Sequence, residues 1–157
     1  MDLSDWLLAL HVSGAFLFLG GGVLAAAFNI AALRSERPSE IALFLGLTRV
    51  AVVLIAFGAL LTLVLGFWLV SDQDYSFGDL WLVLSLILWF VAIGMGQAGG
   101  MRDRRTRILA DELAASGNVA TPELMALLRD PRTLALDYGS GVVLVVVLAL
   151  MVWKPGS

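Results

Sequence analysis

The sequence contains no cysteine, a single histidine (His11), a single lysine (Lys154) and four prolines in 157 residues. Without thiols there is no disulfide, thiolate metal site, iron–sulfur cluster or cysteine nucleophile. One histidine rules out a bis-histidine haem within one chain. Charge is scarce as well: 15% of residues carry it and the net charge is −3, so there is no basic footprint for nucleic acid. No nucleophile–base pair, phosphate-cradling glycine loop or acidic pair set for a metal stands out, which favours a non-enzymatic protein. No internal repeat is present, so an inverted-repeat transporter is not supported. No linker divides the chain, which reads as one domain over 1–157.

Apolar residues are what the chain has in quantity, at 60% with a mean hydropathy of +0.92. They gather in continuous runs at 6–33, 44–70, 80–98 and 134–153. Each run is long enough to cross a hydrocarbon core of about 30 Å, which takes about 20 helical residues. Alternation with a period of two is missing, which argues against a spanning barrel. The expectation is an all-α membrane protein, an antiparallel bundle of four transmembrane helices. The start of the chain, Met1-Asp2-Leu3-Ser4-Asp5, is acidic where a signal peptide carries positive charge. The first run therefore reads as a retained span, although Ala25-Ala26-Ala27 resembles a small-residue cleavage site.

The arginines set an orientation. Arg34 and Arg37 lie between runs one and two; Arg102, Arg104, Arg105, Arg107, Arg129 and Arg132 lie between runs three and four. The loop 71–79 holds Asp72, Asp74 and Asp79 and no basic residue. Positive-inside bias then puts both arginine-bearing loops in the cytoplasm and both termini outside. Trp6, Trp68, Trp81 and Trp153 fall at the outer ends of the spans, where interfacial indoles act as anchors. The loop 101–132 is expected to be helical. A helix over 102–116 ends at Gly117 and pairs Arg107 with Asp111, and Thr121-Pro122-Glu123 starts a second that ends at Asp130-Pro131. The loop reads as a surface hairpin that connects spans three and four; the alternative is that Leu113, Leu124, Leu127 and Leu128 bury an apolar face against headgroups or the bundle. Ser39 and Asp79 are the expected caps of spans two and three, and Pro155-Gly156 the stop after span four.

In lipid, helices associate through small residues, and span one offers the pairs Gly21/Ala25 and Gly22/Ala26. These serve either the bundle itself or a homo-oligomer. Three strongly ionisable side chains fall inside the spans: His11, Arg49 and Asp137. Each needs a partner or water at that depth. Arg49 and Asp137 match in depth near the cytoplasmic face, so an ion pair between spans two and four is expected, either orienting the helices or gating protons. His11 lies near the outer face and is either a hydrogen-bonded packing residue or a ligand for haem b or copper, with Met151 at similar depth as a second ligand.

The strings Trp6-Leu7-Leu8-Ala9-Leu10-His11, Ser76-Phe77-Gly78-Asp79-Leu80-Trp81 and Met151-Val152-Trp153-Lys154-Pro155-Gly156 occur in that order around four spans and a basic loop. With them the chain resembles a bacterial family of predicted integral membrane proteins, a domain of unknown function (number twenty-two sixty-nine), over nearly its whole length. The resemblance implies a four-helix membrane bundle. More distantly, the Leu-His of span one before a glycine-rich stretch is similar to copper-resistance-D-type proteins and to a haem-binding protoporphyrinogen-oxidase-like membrane family. In those relatives the span-one histidine is associated with haem or copper, a role that would fall to His11. The favoured function is an accessory or structural membrane subunit, in the lipid bilayer, that self-associates or docks on a larger complex. A redox protein using His11 and a small transporter or proton-linked channel using Arg49 and Asp137 are the alternatives.

Overall fold

The computed structural model describes residues 2–72 and 75–155. It is all-helical: α1 (Leu3–Arg34), α2 (Pro38–Asp72), α3 (Leu80–Ala115), the short α4 (Pro122–Leu128) and α5 (Pro131–Trp153). Among the described residues four stretches are long and apolar enough to cross a membrane: α1, α2, α3 and the segment Pro122–Trp153, whose crossing is made by α5. The lengths separate them. At 1.5 Å per residue, α5 with its 23 residues reaches about 35 Å, close to the thickness of a hydrocarbon core. With 32, 35 and 36 residues, α1, α2 and α3 reach about 50 Å. Counting about 20 residues inward from the tryptophan end, the apolar layer finishes near residues 26, 50, 100 and 134. Beyond that level three of the helices continue, and α4 lies beside them.

These extensions carry Ile41 and Leu124, the largest fully buried side chains among the described residues. Ala32, Ile41, Ala42, Leu45, Ala110, Leu124 and Leu128 form one cluster, with Leu33, Phe44, Leu109, Leu113 and Met125 packed on it. A basic-end cap therefore replaces the expected surface hairpin. Leu113, Leu124 and Leu128 face this core; Leu127 remains exposed. The expected break between span three and a separate helix over 102–116 is absent, because α3 runs straight through Gly99 and Gly100. Unpaired backbone groups near lipid are costly, and a continuous helix satisfies them all. Likewise α2 starts at Pro38, six residues before the apolar run, and α5 at Pro131, three before.

The caps hold the corner together. Gly117 (φ +129°) and Asn118 (φ +58°) turn the chain in the left-handed region after α3. Asn118 then accepts a hydrogen bond from the Ser39 N–H at 2.9 Å, so the first turn of α2 is capped from the α3–α4 connection and not by Ser39 itself. Thr121 caps α4 by accepting from the Leu124 N–H at 3.3 Å, and Arg107 pairs with Asp111 at 3.2 Å, both as expected. Asp79 occupies the N-cap position of α3 without a side-chain bond. At the other end α5 stops on Lys154, which is left-handed (φ 42°). Gly156 and Asp74 lie outside the described residues.

In the apolar layer the helices form two hairpins. The α1–α2 pair has the most extensive contact, α3 packs on α5, and α2 joins α3; α1 and α5 barely meet. Where α1 crosses α2, Gly58 meets the backbone of Gly14 and Phe18, and a methyl group there would overlap Phe18. Gly21 sits against the Ala51 carbonyl and Ile55, whereas Gly22 faces open space. Of the two small-residue pairs in span one, only that of Gly21 falls on the packed face.

Candidate functional site

Asn29 of α1, Asp103 of α3 and Asp137 of α5 bring polar chemistry together near the basic-end boundary of the apolar layer. Asn29 is 7% exposed, and its Nδ2 donates to Asp103 Oδ2 at 3.5 Å. Asp137 lies on α3 where a side chain at position 99 would project: its carboxylate fills the space that Gly99 leaves. Asp103 is one turn further along α3, on the same helix face as Gly99. Two buried acceptors here have no hydrogen-bond partner, Asn29 Oδ1 and Asp137 Oδ2. The group is rich in acceptors and short of donors, and among the described residues no arginine or lysine pairs with either acid. Such a set is suited to holding a proton or a small cation.

Arg49 is not part of it. The residue is exposed on the outer side of α2 near the end of the apolar layer, and the expected ion pair with Asp137 does not form. The physical reason is topology: α5 packs on α3, not α2, so Asp137 turns to Gly99. Matching depth along two helices placed both residues at one level without deciding which helices touch. Asn29 and Asp103 were the partners the sequence concealed. Their only signal was Gly99 four residues before Asp103, a vacancy on the same helix face.

His11 makes an inter-helix contact. Its Nδ1 lies 3.0 Å from the Thr62 carbonyl oxygen of α2, so Nδ1–H is the donor, and its ring rests against Gly66. Met151 stands half-buried on α5, and no hydrogen bond joins the two. Among the described residues no group of three His, Cys, Asp or Glu side chains is placed to hold a metal ion.

At the tryptophan end, Trp6, Trp68 and Trp153 are 55%, 52% and 80% exposed, open to an interface, but Trp81 is 5% exposed. Trp81 is instead one wall of a cage. Tyr75 meets it edge-on at 5.6 Å, and the Lys154 ammonium sits 4.4 Å from the Tyr75 ring centre and 5.6 Å from that of Trp81. Lys154 Nζ also donates to the Tyr75 hydroxyl at 2.7 Å. This cation–π contact fastens the end of α5 to the start of α3.

The basic end has its own lock. Asp130 Oδ2 accepts from Arg102 and from the Thr133 hydroxyl, each at 3.0 Å, and Oδ1 from the Arg132 N–H at 3.3 Å. Partial desolvation opposes ionisation, but these donors and the Arg102 charge prevail and hold the carboxyl below the usual carboxylate range.

No curated protein and no solved structure gives a significant match, so the likeness of span one to copper-resistance-D-type proteins is not shown. A family model does match, over residues 5–155, under the description Predicted integral membrane protein (DUF2269). That match covers nearly the whole chain: the protein belongs to this family of predicted integral membrane proteins.

Proposed function

We propose that the protein is a non-enzymatic accessory subunit of a bacterial inner membrane, with the arginine-rich cap in the cytoplasm and both termini outside. The distribution of arginine supports the orientation. The observation that carries the role is the open ring of helices: α1 and α5 scarcely touch, so one edge of each hairpin is left for another membrane helix. Gly20 on α1 and Gly141 on α5 are both exposed, and nothing lies within 4 Å of where their side chains would begin. Small residues of this kind let a partner backbone approach closely. The natural absence of cysteine makes the test simple. Gly20→Cys and Gly141→Cys, oxidised in native membranes, should each give a crosslinked species, at twice the chain mass for self-association or at another mass for a partner subunit. A monomer that never crosslinks, in both variants, would remove the proposal.

A second reading, proton-linked transport, is favoured by the Asn29, Asp103 and Asp137 group in place of Arg49. It requires that Asp137→Asn abolish pH-driven flux in proteoliposomes while the folded protein persists. Unchanged flux would exclude Asp137 from the path.

A further inference from the structure

We propose that the pocket enclosed by α3, the end of α4 and the start of α5 binds the phosphate group of an anionic phospholipid. The pocket measures about 290 Å³, and Arg102, Arg105 and Arg132 line it together with Asp130, Thr133 and Leu127. The carboxylate does not cancel the arginines. Asp130 already accepts from Arg102, from Thr133 and from the Arg132 backbone, so its oxygens are occupied by the protein's own donors. It also anchors the Arg102 guanidinium at 3.0 Å, which fixes one wall. Arg105 and Arg132 have no acidic partner among the described residues, and both are exposed. Three guanidinium groups against one engaged carboxylate leave the pocket positive.

Depth selects the ligand. The apolar layer ends near residue 100 on α3 and residue 134 on α5, counted from Trp81 and Trp153. Arg102, Arg105 and Arg132 thus lie at the headgroup level, where arginine forks bind phosphate oxygens in pairs. Leu127 gives an apolar wall to the same pocket, suited to the glycerol and first acyl carbons. Basic pockets between membrane helices recognise anionic headgroups through this combination of charge and depth. The inference depends neither on which side the cap faces nor on whether the protein has a partner subunit.

The experiment uses the full chain in nanodiscs of phosphatidylcholine doped with phosphatidylglycerol, counting lipid retained per protein by mass spectrometry after detergent exchange. The wild type should retain phosphatidylglycerol over phosphatidylcholine. Arg105→Gln with Arg132→Gln should lower that preference about thirtyfold, on the order of 1 kcal/mol for each of the two arginines at a membrane surface. Arg34→Gln with Arg37→Gln removes the same charge from the same end outside the pocket and should leave the preference intact. Arg105→Lys with Arg132→Lys guards against a folding defect, keeping charge and part of the binding. Equal loss in both glutamine variants would reduce the effect to general surface charge and overturn the site. Retention unchanged in the pocket variant would do the same. Displacement of the lipid by millimolar inorganic phosphate would overturn the lipid assignment in favour of a free anion.

Discussion

The apolar layer and the basic-end cap are built from the same helices yet held by different physics. In the layer, Val, Leu and Phe side chains such as Phe16, Val53 and Phe90 point outward, and contact is made where glycine lets backbones meet, as at Gly58 against Phe18. Lipid tails are as apolar as leucine, so burying leucine there gains little and close packing decides. In the cap, Ile41 and Leu124 are fully buried, and the exposed positions include most of the chain's arginines, set among exposed apolar residues such as Leu43 and Ile108. There the hydrophobic effect operates in full. One chain thus changes its rule of assembly about two-thirds of the way along α1 and α3 and a third of the way along α2.

The contrast is broken most severely by bulk in the layer. Gly58→Leu forces α1 off α2 and should cost more than about 3 kcal/mol, enough to remove the folded state in detergent unfolding assays. Loss of volume should be tolerated far better there than in the cap. Leu124→Ala empties a fully buried site and should cost about 3 kcal/mol, with new protease cleavage near residues 116–121 while the spans stay inserted. Leu60→Ala, at a position exposed on the lipid side of α2, should change stability by less than about 0.5 kcal/mol. If the two leucine variants behaved alike, the distinction between layer and cap would fail.

Smaller effects sharpen the boundary. Asn118→Ala removes the cap on the Ser39 N–H and should cost about 1 kcal/mol, seen as faster amide exchange in the first turn of α2. Acid acts last. Because the folded Asp130 carboxyl lies below its unfolded value, its contribution is complete above the unfolded pKa and is lost as pH falls through the folded one. Acidification below the ordinary carboxylate range should loosen the link between Arg102 and Asp130, and Asp130→Asn should flatten that acid limb by lowering stability at neutral pH, where the carboxylate's contribution is complete.

Much of this architecture could be read from composition. Runs of apolar residues, the tryptophans at their ends and the grouping of arginine give four spans, and Arg107, Asp111 and Thr121 identify the helices between the last two. Helix ends were less legible. The first turns of α2 and the last turns of α3 are polar, so a hydropathy pattern stops at the edge of the lipid even though hydrogen bonding carries the helix onward. Site residues were the least legible. The imidazole marks out His11 in the sequence, but its partner is a backbone carbonyl with no side-chain signature. Arg49 and Asp137 agree in depth, a coordinate along the helices that is blind to azimuth and neighbour.

What the sequence by itself determined is the solvent of each segment. Hydrophobicity is additive along the chain, so length and polarity alone assign the lipid-facing runs and the basic end. Which helices pair, and therefore which polar atoms meet, was decided only by the tertiary structure. That choice depends on local shape: Gly58 admits α1 to α2, Gly99 admits Asp137 to α3, and the cap core locks α4 across the ends of the three long helices. Contacts between residues 74 or more positions apart, such as Asn29 with Asp103, follow from that docking and have no local trace in the chain.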